Sequence, residues 1–137
     1  MLKVSAKTQY GVRALLVLAR ERERGRCTLQ QIAKAANVPV PFLEQILVAL
    51  RRAGVVRVYR GAQGGYALAK APEEITALQV YEVLEGKLRL LEQKEKHEVL
   101  AGLWGAAEQS LHDLLRVSLQ ELLLRDDALR RAITYSI

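Results

Sequence analysis

Twelve residues, YRGAQGGYALAK (Tyr59–Lys70), combine Gly61, Gly64 and Gly65 with Arg60, Lys70 and two tyrosines. Glycines let a backbone approach a ligand closely, and cations attract phosphate. The chemistry on offer is phosphate binding, of a nucleotide or of a nucleic-acid backbone. A nucleotide loop needs a strand, then glycines, then a helix N-terminus facing the phosphate. Here Tyr66-Ala67-Leu68 continues as a strand pattern, and no Gly-Lys-Ser/Thr is present. That order speaks against a nucleotide and describes a hairpin with a basic tip. Such a tip is either an ordinary turn or a device by which Arg60, Gly61, Gln63, Gly64, Gly65 and Tyr66 meet DNA.

The other reactive side chains form no catalytic set. Cys27 is the one cysteine, so no intrachain disulfide is possible. Free cysteines are more often buried hydrophobes than sensors, although Arg24 and Arg26 nearby would lower a thiol pKa. His97 reads as a solvated helix-start residue and His112 as a surface or interface one. Asp126-Asp127 has no nearby His or Cys partner and suits a helix cap.

Charge is distributed unevenly. The net is +6, but residues 1–70 carry 13 Lys/Arg and 3 Asp/Glu, whereas residues 71–137 carry 8 and 12. A basic first half is the electrostatic footprint of a polyanion binder. No segment pairs a Lys/Arg face with a bulky apolar one, so a membrane surface is not the expected partner. The run ALLVLA is too short to span a bilayer, and the N-terminal residues lack a signal-peptide pattern. A cytoplasmic protein is the expectation.

These residues need elements to position them. TLQQ (Thr28–Gln31), TALQ (Thr76–Gln79) and SLQE (Ser118–Glu121) match the capping box that opens a helix. A first helix is expected over Thr8–Arg22, with Val12, Leu15, Leu16 and Ala19 inward. A short second helix covers Leu29–Ala36. Asn37, Pro39 and Pro41 then force a turn. A third helix starts near Pro41, stripes its core face with Leu43, Ile46, Leu47 and Leu50, and ends at Gly54. VVRVY and YALA pair as strands around the glycine tip. A helix over Ala77–Glu85 closes on Gly86. A long helix from about Glu95 to Arg116 places Leu100, Trp104, Ala107, Leu111 and Leu114 on one a/d seam, suited to pairing with a second helix. One or two further helices finish the chain.

Short helix, tight turn, amphipathic helix and hairpin make a winged helix-turn-helix in a mainly α protein. On the third helix, Glu44, Gln45 and Val48 point away from the core stripe. Glutamate can accept from cytosine N4, and glutamine can bond adenine at two atoms. Arg51, Lys7 and Lys70 are candidate phosphate contacts.

The stretches SAKTQYGVRALLVLA, LQQIAKAANVPVPFLEQILVALRRAGVV and YRGAQGGYALAKAPEEIT resemble the Rrf-two family of bacterial regulators. The likeness is close over residues 1–86 and looser through the long helix. It implies a homodimer on a partly palindromic double-stranded DNA operator, with the recognition helix in the major groove and the wing in the minor groove. Glu44 and Gln45 then fall on base-reading positions and Arg60 on the wing arginine. Pro41 stands where the family often has serine. Cluster-binding members carry three cysteines ahead of the long helix; GKLRLLEQKEKHEVLAGLW has none. Gln9 stands where nitric-oxide sensors are acidic. The chain resembles the cluster-free branch, with no iron–sulfur cofactor and no other metal expected.

The resulting expectation is a DNA-binding repressor without enzyme activity. Residues 1–86 form the DNA-binding domain, and 87–137 form a dimerisation helix and C-terminal helices packing back on it. A small molecule or a regulatory protein would be its effector. The competing reading is a winged-helix protein-interaction module that does not bind DNA, suggested by the acidic, heptad-bearing second half.

Overall fold

The computed structural model describes residues 2–136. Helix α1 (Ala6–Arg20) begins at Ser5, whose hydroxyl accepts from the Thr8 amide. It is the central element: the second, third, fourth and last helices all pack on it. That position explains why its buried face differs from the expected stripe. Thr8, Gly11, Ala14, Leu15, Leu18 and Ala19 are buried, while Val12 and Leu16 are only half-covered. Small residues sit where helices approach most closely: a Cβ on Gly11 would lie 2.5 Å from Leu84 Cδ1.

After a 3-10 turn (Arg22–Arg24), helix α2 (Leu29–Ala36) starts at Thr28 with both reciprocal bonds of the capping box. Asn37 is left-handed (φ 55°), as its place before the prolines leads one to expect. Helix α3 (Val40–Arg52) follows, with Pro41 in its first turn. Its inward stripe is the expected Leu43, Ile46, Leu47 and Leu50, all buried. Each such side chain contributes about 1.5–3 kcal/mol relative to exposure.

Strands β1 (Val56–Tyr59) and β2 (Gly65–Leu68) pair antiparallel, from Val56 opposite Leu68 to Tyr59 opposite Gly65. Helix α4 (Ala77–Glu85) is capped by Thr76 and stops at Gly86 (φ 104°). Helix α5 (Glu98–Leu115) starts later than expected, because Glu95 turns back to accept from the His97 amide at 3.0 Å. Ser118 accepts from the Glu121 amide at the start of α6, one continuous helix over Leu119–Ser136.

One core joins α1 to α4, the base of the hairpin and Leu119 at the start of α6. A smaller cluster of Leu78, Tyr81 and Leu88 receives Leu111 and Leu115 of α5. The pair Asp126-Asp127 does not cap a helix. Both carboxylates lie within α6 and take the Arg20 guanidinium at 2.8 and 2.7 Å, fastening α6 to α1. Among the described residues, no single helix is long and apolar enough to cross a membrane.

Candidate nucleic-acid interface

Each helical residue turns about 100° from the last. Opposite the buried stripe of α3 therefore lie Pro41, Gln45, Val48 and Arg52, with Glu44 and Arg51 on one flank. All six are exposed. The two candidate base readers, Glu44 and Gln45, thus stand free on the outer face. Phe42 is exposed as well, and neither it nor Arg52 was singled out by the sequence.

The helix is held at its N-terminal end by α1. The Phe42 and Tyr10 ring centroids are 6.3 Å apart, and the Arg13 guanidinium lies over the Tyr10 ring, 5.0 Å from its centroid. Arg13 also donates to the carbonyls of Ala36 and Asn37 at 3.3 Å, where α2 ends. An arginine on an amphipathic helix looks like a solvated residue in sequence; here it fixes the turn of the helix-turn-helix. Lys7 is exposed one turn before Tyr10, on the same end of α1.

The hairpin is a wing with a third backbone contact. Cys27 bridges β2: its amide donates to Tyr66 O at 2.9 Å, and the Tyr66 amide donates to Cys27 O at 2.7 Å. The neighbouring Arg26 lies 3.9 Å over the Tyr59 ring and donates to Gln63 O at 2.7 Å, so the connector between α1 and α2 braces the tip. The spacing of Arg26 and Cys27 gives no sign of this, because the contact depends on how the hairpin folds back.

The glycines divide by task. A Cβ on Gly65 would lie 2.7 Å from Cys27 O, and one on Gly64 would lie 2.6 Å from Tyr59 O. These two have no room for a side chain, within the turn and beside the bridge. Gly61 (φ 96°) has open space around it, and Arg60, Ala62 and Gln63 beside it are exposed. Tyr66 is half-buried, packed against the core. Lys70 lies beyond the root of the hairpin, roughly 17 Å along the strand from Gly65 at 3.3 Å per residue. It is not part of the tip that carries Arg60. Among the described residues, Lys7, Arg51, Arg52, Arg60 and Lys70 form no ion pair.

Cys27 is 6% exposed, and burial, with Glu21 nearby, raises its thiol pKa. That opposes the thiolate that Arg24 and Arg26 suggested in sequence. At the other end of the domain, Glu85 accepts from the Ser5 hydroxyl, and from the Thr8 hydroxyl and Ser5 amide at 2.8 Å. The Ser5 hydroxyl is the main cause of its lowered carboxyl pKa.

Of the expected seam, Leu100, Trp104 and Leu114 are exposed. Leu111 packs on the α4 cluster, and Ala107 is half-buried. Leu114 faces out at 72% exposure, joined by Val99 at 73% and Leu103 at 54%. Helix α5 leans Leu111 and Leu115 on its own chain and leaves its other large apolar residues to solvent. No residue of α5 is buried. His112 spans the inner flank, its Nε2 3.1 Å from Leu88 O.

A family model described as an iron-dependent transcriptional regulator, Rrf2, matches residues 4–125. A putative HTH-type transcriptional regulator of Synechocystis sp., slr0846, is 38% identical over 91% of this chain and 86% of its own. The HTH-type transcriptional regulator CymR of Bacillus subtilis is 33% identical over 99% of this chain and 100% of its own. The structure of that CymR, titled the global cysteine regulator, superposes with a TM-score of 0.83 at 34% identity, covering 91% of this chain and 98% of that one. The structure of T. potens IscR gives 0.77 at 36% identity, over 91% and 88%.

Proposed function

Because the chain belongs to the Rrf2 family and is a DNA-binding transcriptional regulator, we propose that it acts as a homodimeric repressor on a partly palindromic operator. The observation that carries this reading is the outer face of α3. Glu44 and Gln45 stand free there, on a helix whose opposite side is wholly buried. In this role Glu44 and Gln45 read base edges, and Pro41 sits at the groove entrance. Arg60 and the tip residues Gly61 and Gln63 enter the minor groove, while Lys7, Arg51 and Lys70 take phosphates. Residues 1–86 perform the reading, and 87–137 join two copies through the outward stripe of α5.

The family's iron chemistry does not fit the donors present. An iron–sulfur cluster needs several thiolates. The chain has one cysteine, Cys27, and its side chain is buried. Among the described residues, no three His, Cys, Asp or Glu side chains gather to hold a metal. Control therefore falls to a small molecule or a regulatory protein, not to a cluster held by this chain.

Salt-titrated binding tests the wing. Arg60→Ala should bind more weakly and lower the slope of log K against log salt by about 1. An Arg60→Ala titration superimposable on wild type would remove the wing from the interface.

A further inference from the structure

Apolar side chains rarely stand alone on a surface built to meet phosphates. Between residues 5 and 90, Phe42 and Val48 are the two exposed large apolar side chains, at 58% and 47%, and both are on α3. Phe42 has a structural partner in Tyr10. Val48 has none of that kind. It lies on the line Pro41, Gln45, Val48, Arg52, opposite the core stripe, in the middle of the outer face. A β-branched residue at an exposed helical site is also a mildly poor helix former, so local stability does not explain it.

We propose that Val48 is a specificity-determining residue that packs against the 5-methyl group of a thymine in the major groove. The proposal rests on the reading of α3 as the helix that enters that groove. The physical argument is one of elimination by chemistry. Valine has neither donor nor acceptor, so it cannot address a base edge by hydrogen bonds or a phosphate by charge. The apolar feature that the major groove displays is the thymine methyl. Val48 lies three residues beyond Gln45, an advance of about 4.5 Å along the helix. That is a little more than the roughly 3.4 Å between base pairs. Val48 thus faces a base pair adjoining the one Gln45 addresses. Glu44 and Gln45 supply polar readout at the entrance, and Val48 supplies an apolar one deeper along the same helix.

The test uses the full-length protein and the duplex it selects in vitro. Each thymine of the half-site is replaced in turn by uracil, which removes the methyl and leaves every hydrogen-bonding group in place. Wild-type protein should lose about fourfold in affinity at one position, and on the order of fifteenfold when both half-sites are changed. Val48→Ala should bind the thymine duplex with that same loss and be indifferent to uracil there. Its salt slope should match wild type, since no phosphate contact is removed. The uracil series on wild-type protein stands by itself should the variant fold poorly. Selective binding with no uracil-sensitive position overturns the proposal and leaves the reading role of α3 standing. So does a uracil penalty that Val48→Ala keeps in full. If wild type selects no sequence at all, the DNA-reading role fails and this proposal fails with it.

Discussion

The two ends of the chain solve opposite problems. The first 85 residues close a core: α3 alone buries Leu43, Ile46, Leu47 and Leu50, and Phe42 and Val48 are the large apolar side chains it leaves exposed. Helix α5 buries no residue and leaves Val99, Leu103 and Leu114 in solvent. The outer face of α3 and the wing tip keep their cations free: Arg51, Arg52 and Arg60 form no ion pair among the described residues. In α5 and α6, Arg116, Arg125 and Arg130 each pair with an acid nearby. Exposed leucines fit a surface to protein, and free cations beside a buried stripe fit one to a polyanion.

The largest expected effect comes from breaking the apolar end. Leu103→Glu should convert a dimer to a monomer by analytical ultracentrifugation. It should weaken operator binding about 100-fold or more, because the two half-site contacts are no longer linked. The helical circular dichroism of the first 85 residues should persist, since Leu103 is no part of their core. A variant that stays dimeric would place the contact elsewhere than on this stripe.

An intermediate effect is expected where the wing joins its brace. Gly65→Ala puts a Cβ 2.7 Å from Cys27 O at a φ of 150°. Backbone strain of this kind costs roughly 1–3 kcal/mol. The bridge should open, and Cys27 should react faster with a thiol reagent than in the wild type, where it is buried. Unchanged thiol reactivity would show that Cys27 is shielded by something other than β2.

The outer framework was legible in the sequence because local signals agreed with tertiary need. The Thr28 capping box, Asn37 with the prolines, and the four-residue stripe of α3 each dictate structure within a few residues. What the sequence did not display was non-local. The buried face of α1 depends on several helices arriving from different directions. The half-buried place of Leu111 depends on the cluster at α4. The tasks of Gly64 and Gly65 depend on Tyr59 and Cys27, and the bracing role of Arg26 on a tip 37 residues away. The exposure of Glu44 and Gln45 was legible because a polar residue beside a regular apolar stripe is itself a local pattern.

The smallest effect concerns pH and again separates the regions. Glu85 has a folded pKa below its usual 4.5, held there first by the Ser5 hydroxyl. Its contribution is present in full above that usual value and is lost as pH falls through the lowered folded one. Acid should therefore loosen α1 from α4 before neutral pH matters at all. Glu85→Gln should lower the melting temperature at pH 7 and flatten its fall below about pH 4.5. A parallel fall in both proteins would remove Glu85 from the acid response.

The central claim is that the outer face of α3 reads base sequence. The direct measurement is in vitro operator selection with wild type and Glu44→Ala in parallel. The wild type should return a partly palindromic consensus, and Glu44→Ala should return the same consensus with preference relaxed at one or two base pairs in each half-site. Identical profiles from the two proteins would contradict the assignment of Glu44 to the reading face.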